Sequence, residues 1–155
     1  MKQNPGDIPV KESLREGILS RDGFMGDDTR PFTQIILDDE ALLAGAGAGA
    51  RELADKMARL TRAGLAAPGS PVQAGGYEVT VEEYMGRISC PFRDHRAAKR
   101  NTLARDRAGR QMAGTDLSVH LIGAHGFFQG SGSPYRLEPG ALAEFLKDMG
   151  PSEEG

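Results

Sequence analysis

The chain has 155 residues, 39% of them apolar and 6% aromatic, with 21 Gly, 9 Pro and no Trp, which suits one domain with a small core and many loops. Its formal net charge of −3 argues against a general nucleic-acid or membrane-surface binder, whose footprint is basic. A single cysteine excludes an intrachain disulfide, no run approaches the roughly 18 apolar residues of a membrane span, and Met1 to Gly6 carries no apolar leader, so a cytoplasmic location is expected.

Residues 1–31 are rich in Gly, Pro, Asp and Arg without a sustained apolar period. They read as a loosely held arm, with a short helix at 11–19. A helical part follows over 32–64. Ile35, Ile36 and Leu37 lead into Asp38, Asp39 and Glu40, whose charges suit a helix N-terminus ahead of Ala41. The run Gly45 to Gly49 interrupts it, since each glycine costs about 1 kcal/mol of helix propensity relative to Ala. From Arg51 to Arg62, Leu53, Met57 and Leu60 recur on one helical face, and Gly64 closes the element.

Strand signals begin at Val72. Gly75-Gly76 between Val72 and the alternating Tyr77-Glu78-Val79-Thr80-Val81 predicts a hairpin, because two glycines accept the positive φ angles of a tight turn. A second hairpin pairs 101–105 with Gln111-Met112 around Asp106-Arg107-Ala108-Gly109, with Asp first and Gly last as a type I turn prefers. Thr115-Asp116 then caps a short helix from Leu117 to about His125, and Gly126 terminates it. A last helix starts at Pro139 and buries Leu142, Phe145 and Leu146; 150–155 reads as a frayed tail. The fold class expected is α+β: N-terminal helices, a small antiparallel sheet within 72–113, and a C-terminal helix, in one domain.

All three histidines and the only cysteine fall in a 36-residue window as two pairs, Cys90-x4-His95 and His120-x4-His125. Four such ligands in two close pairs are what a tetrahedral Zn²⁺ site requires. The order turn, hairpin, helix resembles the ββα arrangement of a zinc finger, in which a knuckle supplies two ligands and a helix two more. Here His95 stands where that family has a second cysteine, and 24 residues rather than about twelve separate the pairs. An ideal helix sets His120 and His125 about 140° apart, so convergence on one ion is expected to need unwinding near Gly123 or Gly126. The competing reading is a buried thiol beside hydrogen-bonded core imidazoles.

Seven basic residues, Arg93, Arg96, Lys99, Arg100, Arg105, Arg107 and Arg110, face only Asp94 and Asp106 within 93–110. This hairpin is the one nucleic-acid or phosphate signal, and otherwise a solvated charged surface. Tyr135 and Arg136, after the Gly/Ser run 130–133, are candidate contacts on a binding loop. Asp94-His95 ahead of a His-bearing helix resembles the ββα-metal layout of nucleases, but no Asn or second Asp matches on the helix. Cys90 with a histidine lacks an orienting third residue for nucleophilic catalysis, and no phosphate loop is present.

The sequence therefore reads as a small zinc-binding protein. Cys90, His95, His120 and His125 hold a structural ion, and the chain acts as a binding or adaptor module rather than an enzyme. Its expected partner is another protein of unknown identity, or nucleic acid through the 93–110 hairpin; a membrane is not expected. The alternatives are a metal-dependent hydrolase with an open zinc position and a metal-free interaction protein.

Overall fold

The computed structural model describes residues 24–133 and 136–149; the short helix expected at 11–19, Tyr135 and the tail 150–155 lie outside them. Two helices come first, α1 (Phe32–Gly45) and α2 (Ala50–Gly64), separated at the glycine run, where Gly47 takes φ 70°. Four strands follow, β1 (Val72–Ala74), β2 (Tyr77–Ser89), β3 (Arg96–Arg105) and β4 (Gln111–Thr115), then α3 (Asp116–His125) and α4 (Pro139–Leu146). The strands form one antiparallel sheet in the order β1-β2-β3-β4. The class is α+β, and no helix among the described residues is long and apolar enough to cross a membrane.

Both expected hairpins form around the turns that specify them. Gly75 and Gly76 have φ 54° and 92°, the left-handed pair that a two-residue turn between twisted strands demands. At the second, Asp106 Oδ1 accepts from the backbone N–H of Ala108 and Arg110 at 3.0 and 2.9 Å, and Gly109 has φ 85°. The strands run further than the alternating pattern implies. β2 and β3 stay paired out to Ser89 and Arg96, past a bulge between Tyr84 and Arg87 where Gly86 has φ 91°. The bulge re-aims the far half of the ribbon and carries it to the candidate ligands.

Two apolar clusters hold the elements together. The larger joins Leu53, Met57 and Leu60 of α2 to Val79 and Val81 of β2 and to Phe145 and Leu146 of α4. The smaller joins Phe32 and Ile35 of α1, Ala97 of β3, Leu121 of α3, Phe127 and the thiol of Cys90. β3 serves both because its side chains alternate: Thr102 and Ala104 are buried on one face, Ala97 on the other. A 2.8 Å bond between the buried hydroxyls of Thr61 and Thr102 ties α2 to the sheet. Lys56 is 7% exposed; its ammonium donates to the Leu146 carbonyl at 3.2 Å, and the Tyr77 hydroxyl donates to that of Phe145 at 2.6 Å. These bonds satisfy acceptors that the end of α4 leaves free.

α2 meets the sheet backbone-first. A Cβ added to Gly64 would lie 2.5 Å from Cγ2 of Val81, which is fully buried. Gly64→Ala should lower the denaturation midpoint, because about 1–3 kcal/mol of overpacking outweighs a propensity gain below about 1 kcal/mol. An unchanged or raised midpoint would show that Val81 has room to yield.

The start of α1 departs from expectation. It begins at Phe32 behind Pro31, six residues before Asp38, and Asp39 sits inside the helix with 1% exposure. Its carboxylate faces Arg136 Nη2 at 2.8 Å and Nη1 at 2.9 Å. The acidic run marks a buried ion pair there and not a helix terminus. Ahead of α1, Arg30 grips Asp28 at 2.6 Å and Asp38 at 2.7 Å, while Asp28 accepts from the Ser131 N–H at 3.0 Å. The loop 24–28 packs against 130–133 so closely that a Cβ at Gly26 or Gly130 would strike backbone atoms at 2.3 Å.

The Arg30 guanidinium beside Asp28 holds its carboxyl well below the usual carboxylate range. A carboxyl lowered in the folded state stabilises above its unfolded value of about 3.9 and loses that contribution as pH falls further. Asp28→Asn should therefore flatten the acid side of the stability profile below about pH 4. An acid limb identical to wild type in urea melts at several pH values would contradict this.

Candidate metal centre

Where β2 ends, the chain reverses through 90–95 in a turn closed on itself. Cys90 N–H donates to the His95 carbonyl and Arg93 N–H to the Cys90 carbonyl, both at 2.8 Å. Arg93 takes φ 64° to make that reversal, a left-handed conformation that costs a residue with a side chain about 1–2 kcal/mol. The same turn presents Cys90 and Asp94 toward α3. That helix is capped by Thr115, whose hydroxyl accepts from Ser118 N–H, and ends at Gly126 with φ 63°. A cap, an apolar face on Leu117 and Leu121, and a left-handed glycine fix which turn of helix stands over the 90–95 loop.

The ligand atoms of Cys90, Asp94, His120 and His125 all lie within 4.8 Å of one another. Asp94 Oδ1 is 3.0 Å from His120 Nε2, Asp94 Oδ2 is 2.8 Å from His125 Nε2, and Cys90 Sγ is 3.8 Å from His125 Nε2. The helix stays regular through His125, so no unwinding is needed for the two imidazoles to meet. His125 is the last helical residue. Nothing of the helix lies beyond it, and its ring stacks on Phe92 at 4.0 Å between centroids. The ring centres of His120 and His125 are 5.3 Å apart.

Asp94 enters where His95 was expected. His95 is exposed and stacks on His120 at 4.4 Å, outside the four-residue group. The reason is local: the reversal at Arg93, with φ 64°, brings Asp94 within reach of Cys90 and the two imidazoles and leaves His95, the next residue, against the ring of His120. Carboxylates ligate zinc as well as Cys and His do, and the Cys-x3-Asp spacing of Cys90 and Asp94 is the sequence signal for this fourth candidate ligand.

The protonation of the group follows from its contacts. Burial opposes charge on Asp94, but hydrogen bonds from His120 and Cys90, and the charge of His125, outweigh it and hold the carboxyl well below its usual range. An ionised carboxylate only accepts, so each Nε2 carries the proton facing it. Burial, with the Asp94 carboxylate beside it, pushes the Cys90 thiol up to about 12. A protonated buried thiol is no nucleophile, which counts against a Cys–His catalytic pair. The group could hold a divalent cation in place of these protons, with the thiolate, two imidazoles and one carboxylate oxygen as donors.

The remaining candidates scatter. Arg93 stays on the exposed loop, and Arg96 and Arg100 share one face of β3 while Lys99 takes the other. Arg105 pairs across the ladder with Gln111, Arg107 lies against Gly76, and Arg110 binds Asp106 at 2.7 Å. The basic hairpin is thus spread along a strand about 30 Å long and over both its faces. Arg136 is held inside the protein: its side chain is 8% exposed, and its guanidinium binds Asp39, Glu138 and the Gln129 carbonyl. Tyr135 is not among the described residues.

Comparisons with protein-family models, curated proteins and solved structures found no match for this chain.

Proposed function

We propose that the protein binds one zinc ion through Cys90, Asp94, His120 and His125, and that this ion is structural, in a small module whose work is binding. The observation that carries the reading is the convergence of one sulfur, two imidazoles and a carboxylate from two separate elements. Tetrahedral zinc with bonds of about 2.0–2.3 Å spaces its donors by roughly 3.3–3.8 Å. The Cys90–His125 distance of 3.8 Å already meets that spacing; Asp94 Oδ1 and Oδ2, which each face one imidazole at 3.0 and 2.8 Å, give way to a single ligating oxygen as the carboxylate turns, and the donors, all within 4.8 Å of one another, close to the tetrahedral spacing. A soft thiolate with borderline imidazoles favours zinc over calcium or magnesium, which take oxygen ligands. The ligand-bearing turn lies between β2 and β3, and β4 intervenes before the helix, so the likeness to a zinc finger extends only to two ligands from a turn and two from a helix.

Four protein ligands leave no open position, which is the mark of a structural site. The competing reading, a metal-dependent hydrolase, has one observation in its favour: the Asp94 side chain is 42% exposed and is the ligand that water would displace most readily. Cobalt substitution separates the two. A closed site gives a tetrahedral cobalt spectrum with a thiolate charge-transfer band, lost in Cys90→Ser and unmoved by added azide. A spectrum that azide shifts would sink the structural reading and favour the hydrolase.

A further inference from the structure

The face of β3 that buries Thr102 and Ala104 against α2 continues past the core as Arg96, Ala98 and Arg100. Here α2 reaches its last turn at Arg62 while the sheet goes on, and a groove of about 430 Å³ opens between them. Arg87 of β2 stands directly across the ladder from Ala98 and so shares this face. Three elements thus supply Arg62, Arg87, Arg96 and Arg100 to one groove, which α3 completes with His120, beside His95, and with one carboxylate, that of Asp116.

Only one of the four guanidinium groups is neutralised. Arg100 pairs with Glu83 at 3.4 Å and Asp116 at 3.2 Å. No acidic group among the described residues pairs with Arg62, Arg87 or Arg96, whereas Arg30, Arg110 and Arg136 each have a carboxylate partner. In a chain of net charge −3, three unpaired arginines around one space are a local charge excess that an anion relieves.

We propose that this groove binds the phosphate group of a small phosphorylated molecule. A carboxylate carries one charge and is satisfied by a single bidentate arginine, while a phosphate dianion offers three oxygens to several forked donors. The volume lies in the range of small-molecule sites, about 300–1,000 Å³. No Phe or Tyr lines the groove, and its two aromatic rings, His95 and His120, are stacked on each other at 4.4 Å, an arrangement with fewer free ring faces than a row of bases uses. The ligand's phosphate sits over Arg62, Arg87 and Arg96, and the rest of it runs along Ala58 of α2 and Leu65 just past its end. His120 is the shared wall: one side of its ring lines the groove and its Nε2 meets Asp94. The proposal names a ligand for the binding role above but stands on the arginines alone, without the metal.

Calorimetric titration with inorganic phosphate and with pyrophosphate, on chelator-treated and on zinc-loaded protein, tests it. Saturable 1:1 binding of at least one anion is expected in both forms. Arg87→Gln and Arg96→Gln should each weaken it at least about tenfold, and both are exposed, so their melting curves should match wild type. Arg107→Gln, beyond the opposite end of β3, removes the same charge and should leave binding within about twofold. Absence of saturable binding overturns the proposal, as does an equal loss in Arg107→Gln, which would mean net charge alone. Binding that needs zinc but not the arginines would make the anion a metal ligand. A single-stranded oligonucleotide that binds through the same arginines, where pyrophosphate does not, would replace the small molecule with nucleic acid. Phosphate binding retained in a protein that takes up no zinc would remove the zinc proposal and leave this one standing.

Discussion

Asp39→Ala should cost about 3–5 kcal/mol of folding stability, the usual consequence of removing one partner of a buried ion pair. Asp39 and Arg136 are 97 positions apart, their side chains are 2% and 8% exposed, and two bonds of 2.8 and 2.9 Å join them. With Asp39 gone, the guanidinium keeps only the mostly exposed Glu138 and the Gln129 carbonyl and cannot reach water without moving the segment that carries it. Arg136→Met should be less damaging than Asp39→Ala, because it leaves behind a carboxylate that can lose its charge by protonation. Replacing both residues with apolar ones of similar volume should recover much of the loss, since such pairs often contribute little beyond their own desolvation. Urea denaturation of the single and double variants measures all three; a loss below about 1 kcal/mol for Asp39→Ala would place the pair among ordinary surface contacts.

Zinc should raise stability by about 4 kcal/mol when free zinc exceeds the dissociation constant a thousandfold, because only the folded chain assembles the site. For a domain of this size that corresponds to a Tm increase of roughly 8–16 °C. Cys90→Ala should abolish the increase while lowering the metal-free Tm only through lost packing in the smaller core. His95→Ala should keep the whole increase, because His95 stands outside the ligand group. The zinc effect should also shrink as pH falls. Binding must displace the proton of a thiol pushed up to about 12, and each unit of pH costs about 1.4 kcal/mol for every proton released. A zinc-induced shift that survives Cys90→Ala, or that His95→Ala removes, would show a different ligand set.

What the sequence discloses and what it hides divide along physical lines. Turns and caps are local chemistry, so Gly75-Gly76, Asp106 to Gly109, Thr115, Gly126 and Pro139 each mark an element that forms there. Met57 and Leu60 disclose their helix face through periodicity. The start of α1 misleads because Asp39 has the composition of an N-terminus and the partner of a core residue, and that partner is far away in sequence. The outer half of β2 is hidden because 82–87 is exposed on both faces; such a strand is held by its ladder and carries no alternation. The four residues that could hold a metal ion all fall within the window 90–125. Which of two adjacent residues, Asp94 or His95, turns inward depends on the reversal at Arg93 and is not written in spacing. Arg62 and Arg87 escape notice for a similar reason: only the packing of α2 beside the β2–β3 ribbon brings them to Arg96.

X-ray absorption at the zinc edge, on protein purified without a metal-affinity tag and supplied with one equivalent of zinc, tests the central claim most directly. The account predicts one sulfur at about 2.3 Å and three nitrogen or oxygen donors at about 2.0–2.1 Å, with two of them imidazole. A shell without sulfur, or protein that takes up no zinc and keeps its fold, would contradict it.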